Sequence, residues 1–217
     1  MVGNWLTKLG LMLILFLAYS KSYSEDNRCT ETWLGATTSI GVIDDFSLEA
    51  GFDLRNRAGD QKLKNVIFDL GTKYQINDHL GFTSTYRNRV VYGKAQSEIM
   101  LDLGLSENVK NMKLGYRLRY HARYRPSKDD MRHIRNKFEL KYTIQSLALS
   151  PSLHLEYYYL VFDPNQNIMD KYRIHAAIDY RINSEFNLSV QYIYEEFVHF
   201  EKDGINDIVR VIFSYKP

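Results

Sequence analysis

The chain is poor in the residues that cross-link or punctuate a fold. Its single cysteine, Cys29, excludes an intramolecular disulfide and a cysteine-rich zinc site. It has four prolines, Pro126, Pro151, Pro164 and Pro217, and none of them interrupts an alternating run. That is the distribution strands require, because proline cannot donate to a ladder. Mean hydropathy is −0.37, lower than a bundle of membrane helices would give. Net charge is also scarce, at +2, so bulk electrostatics do not favour a polyanionic partner. Tyrosine is abundant instead: 17 of 217 residues, beside 11 phenylalanines. Such aromatic enrichment suits strands and membrane interfaces.

The first segment, "MVGNWLTKLGLMLILFLAYSKSYS", reads as an export signal. Lys8 supplies a positive start, Leu9 to Ala18 an apolar stretch of signal-peptide length, and Ala18, Ser20, Ser22 and Ser24 small residues at cleavage spacing. Cleavage after Ser20 or Ser24 is expected, giving residues 1–24 as signal and 25–217 as one domain. An uncleaved anchor is the alternative, but the run is shorter than the ~20 residues that span a bilayer. Cys29 follows "EDNR" rather than small apolar residues, which argues against a lipid-modified cysteine.

From Trp33 onward the dominant period is two. In "KLGYRLRYHARYR", Leu114, Tyr116, Leu118, Tyr120, Ala122 and Tyr124 fall on one face; Lys113, Arg117, Arg119, His121, Arg123 and Arg125 fall on the other. The same alternation recurs through Phe46–Arg55, Glu98–Ser106, Lys137–Ile144, Tyr172–Arg181, Phe186–Glu195 and Val209–Tyr215. The segments are longer than the ~5–6 residues usual in globular strands. Their apolar faces carry tyrosine or phenylalanine near the ends, and their polar faces carry charges of both signs at mid-strand. An all-β, antiparallel up-and-down transmembrane barrel accounts for all three features. A soluble barrel that binds an apolar ligand has the same period with its faces reversed, and periodicity alone does not separate the two.

Turn signals near Asp44-Asp45, Ala58–Lys62, Asn77-Asp78, Gly93–Gln96, Glu107–Asn111, Pro126–Asp130, Ser146–Ser150, Asp163–Asp170, Asn183-Ser184 and Glu201–Asn206 divide the chain into eleven segments. Single-chain bacterial barrels have even strand numbers. The expectation is therefore 10 to 12 strands, with either one segment not spanning or one strand missed near Asp26–Thr38.

The stretches "ETWLGATTSI", "FDLRNR", "TYRNRVVYG", "YRLRYHARYR", "LEYYY" and "YIYEEFVHF" together resemble the uncharacterised outer-membrane barrel family known as domain of unknown function 2490. The resemblance covers Glu31 to Pro217. It implies an outer-membrane barrel without an established activity, so no catalytic residues carry over. The chain departs from many outer-membrane barrels at its end. It finishes "FSYKP", with Tyr215 two residues before the terminus, where the assembly machinery reads a final aromatic residue.

The candidate functional residues are the charges expected to line the lumen: Arg117, Arg119, Arg123, Lys137, Glu139, Lys141, Glu156, Arg173, Asp179, Arg181 and Glu195. A basic lumen attracts small anions. Glu139, Glu156, Asp179 and Glu195 are the acids expected to pair with the arginines across the barrel. Nucleic acid is not an expected partner, because strict alternation puts arginines and tyrosines on opposite faces, whereas stacking and phosphate contact need one groove. The histidines, His79, His121, His133, His154, His175 and His199, show no metal-ligand spacing, and neither metal nor cofactor is expected. A barrel hydrolase acting on lipid or peptide at the external rim is the alternative. Ser189 and His175, which share the inward face, are its only suggestion. The remaining expectations are a monomer in the bacterial outer membrane, in contact with its lipids and inserted by the barrel-assembly machinery. Glu195 is expected inward and Glu196 outward, near the external rim.

Overall fold

A computed structural model describes residues 28–58, 63–126, 130–161, 168–198 and 204–217. The expected signal segment, residues 1–24, lies outside them. The described residues form eleven strands: β1 Arg28–Ile43, β2 Phe46–Arg57, β3 Asn65–Gln75, β4 Leu80–Val91, β5 Lys94–Val109, β6 Met112–Tyr124, β7 Met131–Tyr142, β8 Leu149–Leu160, β9 Ile168–Arg181, β10 Phe186–Phe197 and β11 Ile205–Tyr215. They close into a barrel in which each strand lies beside its neighbours in sequence. The strand count falls within the expected 10 to 12, and it is odd. The stretch near Asp26–Thr38 supplies no additional strand, because from Arg28 onward it is the first part of β1.

The odd count has a geometric consequence. Every turn reverses the chain, so the first and last of eleven strands run the same way. All neighbouring pairs are antiparallel except the closing one, where β1 pairs β11 in parallel from Arg28↔Ile205 to Thr38↔Tyr215.

The faces sort as the alternation requires. Leu34, Phe68, Leu70, Phe138, Leu153 and Ile178 are about half exposed or more on the outside. Glu98, Glu156, Glu195, Arg135 and His121 are buried on the inside. An apolar exterior around a charged interior is the face assignment of a membrane-type barrel. A soluble ligand-binding barrel needs the opposite assignment. Aromatic residues gather on the exterior near both ends: Tyr74, Tyr142, Phe186 and Tyr215 at one, Tyr124, Tyr159, Tyr172 and Tyr194 at the other. Cross-strand ring pairs reinforce the wall, as with Phe186 and Tyr215 (centroids 4.8 Å) and Phe52 and Phe68 (5.0 Å).

The two ends differ. One carries tight connections, such as Asp44-Asp45 and Lys110-Asn111. Two of its turns share one device: the Asn77 side-chain oxygen accepts from the backbone N–H of His79 and Leu80, and Asn183 does the same for Glu185 and Phe186. At the other end the connections after β2, β6, β8 and β10 are longer, and only Tyr92-Gly93 is tight. Both residues of that turn have positive φ (44° and 82°), as a two-residue hairpin of this hand demands.

The packed part of the lumen is displaced toward the long-connection end. Trp33, Ile193 and Ile208 form its apolar cluster, with Ile67 and Met100 buried nearby. Toward the short-turn end, inward positions become small: Gly35, Gly51, Gly71, Gly104, Gly115 and Ser152. At Gly35 a Cβ would stand 2.5 Å from a carboxylate oxygen of Asp53, so a larger residue would push that side chain aside.

Candidate functional site: a cationic lumen

The arginines of β6 are all engaged. Arg119 donates to both oxygens of Asp102, each at 2.5 Å. Arg117 reaches Glu156 at 2.6 Å and Asp102 at 3.9 Å. Arg123 lies 2.7 Å from Glu98. Of the acids expected as their partners, only Glu156 takes an arginine of this strand. Glu139 pairs with Lys137 at 3.2 Å, and Asp179 with Lys141 at 2.6 Å. The main partners are Glu98 and Asp102 of the adjacent β5.

Four of the acids, Glu156, Glu195, Asp53 and Glu98, act as hubs, each with more than one cation. Glu156 receives Arg117, Arg135 at 2.9 Å and the Tyr158 hydroxyl at 2.8 Å. Glu195 receives Arg173 at 2.5 Å, Lys171 at 2.9 Å and Asn206 at 2.8 Å. Asp53 holds Arg210 at 2.9 Å, with Arg55 at 3.5 Å. Glu98 collects Arg87, Arg89, Arg123 and His121. Aromatic faces add to the stabilisation that the carboxylates supply. The Arg55 guanidinium lies 3.7 Å from the Trp33 ring centroid, and Arg135, Lys171 and Arg173 surround Tyr158 at 4.3 to 5.0 Å. Cation–π contact offsets part of the desolvation cost of charges that no acid neutralises fully.

Within these hubs lies a cavity of about 750 Å³. It extends from the long-connection mouth, at Tyr92, Lys94 and Pro126, down to Arg117, Lys137, His154, Gln191 and Arg210. Among the residues proposed from sequence, Arg117, Arg119, Arg123, Lys137, Glu156, Arg173 and Glu195 line it. Glu139, Lys141, Asp179 and Arg181 share the inward parity but sit nearer the short-turn end, outside the cavity. Sequence reasoning missed Arg55, Arg87, Arg89, Arg135, Lys171 and Arg210 as lining cations. All fall on the polar parity of their strands, and that is the signal that finds them.

Four histidines occur as cross-strand pairs. His121 stands opposite His133, and His154 opposite His175 with rings 5.6 Å apart and nearly stacked. His199 lies outside the described residues. No group of three or more His, Cys, Asp or Glu side chains among the described residues is placed to hold a metal ion.

The hydrolase suggestion does not assemble. Ser189 stands opposite Asp179, while His175 stands opposite Ile193, two inward positions away along the same ladder. Ser152 and His154 are in contact at 3.0 Å, but through Nε2, the nitrogen that also faces Glu139 at 3.9 Å. A relay needs the serine and the carboxylate on different ring nitrogens.

Outside the barrel, Glu196 accepts from the hydroxyls of Tyr172 and Tyr194, while Glu195 points inward. At the parallel seam, Asp207 binds Arg28 across the β1–β11 junction and accepts from Tyr192 of β10.

A closed barrel with an apolar exterior, aromatic residues near both ends and a charged lumen is an outer-membrane-type β-barrel. The architecture is shared with a NanC porin of solved structure, at 14% identity and TM-score 0.54, covering 77% of this chain and 84% of that one. The beta domain of the Bordetella autotransporter BrkA is also similar, at 13% identity and TM-score 0.42, covering 76% and 81%. At 14% identity the likeness to the porin speaks to the fold alone. Over residues 30–206 the chain matches the family described as "Protein of unknown function (DUF2490)", and it belongs to that family. No curated protein matches it.

Proposed function

We propose that the protein is a monomeric barrel of the bacterial outer membrane whose lumen is a narrow, anion-attracting passage. The observation that carries this reading is the cavity at the long-connection mouth, whose wall holds more guanidinium and ammonium groups than carboxylates. Basic side chains ringing a lumen favour anions, and the field is strengthened where low-dielectric walls confine it. In this reading the apolar exterior contacts outer-membrane lipid, the long connections face outward, and the barrel-assembly machinery inserts the chain. Planar-bilayer recording of refolded protein under a KCl gradient tests it. The expected reversal potential is displaced toward that of chloride.

A structural barrel is the second reading, and the hubs favour it. Side chains that each hold two or three partners make a rigid interior, and rigidity opposes flow. A folded barrel that carries no current establishes this reading over the first.

A further inference from the structure

The Glu98 hub is unbalanced in a specific way. Arg87 turns away from it, donating two 2.7 Å hydrogen bonds to Asp69 and keeping only a 3.8 Å approach to Glu98. Arg89 and Arg123 have no second acid within ion-pair distance among the described residues. Both bring Nε to the same oxygen of Glu98, at 3.3 and 2.7 Å. Neither approach has hydrogen-bond alignment: both Nε groups and that carboxylate oxygen are buried without a hydrogen-bond partner. The other oxygen is taken by His121 at 3.1 Å. One fully buried carboxylate thus faces two guanidiniums that it does not satisfy, and those two arginines line a cavity open to the mouth. Buried donors without partners are costly unless something supplies the acceptor.

We propose that Arg89 and Arg123 form a binding site for a single oxyanion group, a carboxylate, phosphate or sulfate borne by a solute entering from the long-connection mouth. Glu98 is the resident counter-ion that holds the two guanidiniums in place while the site is empty. The planar fork of each arginine offers paired donors that match an oxyanion edge. Glu98 sets the affinity: its charge competes with the ligand, so the site binds weakly enough to release. The inference deepens the anion-attracting reading of the lumen and rests on it for the route of approach, but it does not require that the barrel conduct.

The test is calorimetric titration of the refolded full-length chain in detergent with inorganic phosphate, at constant ionic strength in chloride. Glu98→Gln keeps the shape of the side chain and removes its charge; phosphate is expected to bind it at least tenfold more tightly than the unaltered protein. Phosphate is also expected to raise the unfolding temperature of this variant more than that of the unaltered protein, a rescue that a purely structural role for Glu98 does not give. Arg89→Gln with Arg123→Gln is expected to weaken binding at least tenfold. Arg123→Lys, which keeps the charge and the fold but loses the fork, falls between. Equal phosphate affinity in the unaltered protein and Arg123→Lys, or no binding by any folded variant, overturns the site. Absence of current in the bilayer experiment bears only on conduction, so the two failures are distinguishable.

Discussion

Glu156 shows how much one side chain holds together. It is 2% exposed and touches two guanidiniums, a phenol and, at 3.9 Å, an imidazole. Replacing it with alanine leaves the buried Arg135 and the partly exposed Arg117 with no shared anion. Removing one partner of a buried ion pair costs about 3–5 kcal/mol. Glu156→Ala should therefore lower the urea midpoint of the refolded barrel markedly, as read by tryptophan fluorescence. Glu156→Gln should lose less, because an amide oxygen in the place of Oε1 still accepts from Arg117 and Arg135. An unchanged midpoint in Glu156→Ala would mean that water already solvates the hub. The β6 partners were within reach of the sequence. Counting outward in both directions from the tight turn Lys110-Asn111 brings Arg119 opposite Asp102 and Arg123 opposite Glu98, as the register shows. Parity names the face on which a charge lies, but only counting from a turn names its partner. Contacts that skip a strand, such as Arg117 with Glu156 and Arg210 with Asp53, depend on barrel curvature and side-chain reach, and no periodicity encodes them.

For a strand, depth in the membrane decides the effect of a substitution. In β5 the outward residues include Ala95, Ser97, Ile99, Leu101, Leu103 and Leu105, with Leu103 well inside the strand and Ala95 beside the long-connection rim. A lipid-facing arginine costs roughly 2–4 kcal/mol at the bilayer midplane and about 0–1 near the interface. Leu103→Arg is therefore expected to destabilise the barrel in phospholipid vesicles by several times as much as Ala95→Arg. Equal effects at the two positions would contradict the depth assigned to this strand. Glu196 fits the same argument. It lies near the end of β10, where its charge is shared with the hydroxyls of Tyr172 and Tyr194 rather than placed bare against hydrocarbon. Strand existence, facing and approximate limits were legible from the period of two, because an apolar exterior and a charged interior impose opposite chemistries on successive residues. Strand ends were less so: β5 continues to Val109 and β9 starts at Ile168, inside stretches with turn composition. Asn and Asp close a turn or extend a strand according to which backbone groups their neighbours leave open.

At the scale of the whole molecule, the property least visible in sequence is how the sheet closes. Alternation is blind to strand direction, so the odd count stood as a misfit with the even numbers usual in bacterial barrels. The parallel seam removes the conflict within the fold, and it makes a distinctive prediction. Between β1 and β11 the partner's number exceeds the residue's by a constant, since Leu34 faces Val211 and Thr38 faces Tyr215. An antiparallel closure would instead keep the sum of the two numbers constant. Disulfide geometry requires Cα atoms about 4.4–6.8 Å apart, a span that directly facing residues meet and residues four positions out of register do not. In a Cys29→Ser background, Leu34→Cys with Val211→Cys and, separately, Thr38→Cys with Tyr215→Cys should therefore both cross-link on mild oxidation, each shifting mobility on a non-reducing gel. A parallel seam joins both pairs, whereas an antiparallel seam joins at most one. Each cross-link ties strands nearly a chain length apart, so both oxidised forms should also unfold at higher temperature than their reduced forms. If only one pair cross-links, the closure is not parallel over this length, and the eleven-stranded barrel gives way to one closed by a different strand arrangement.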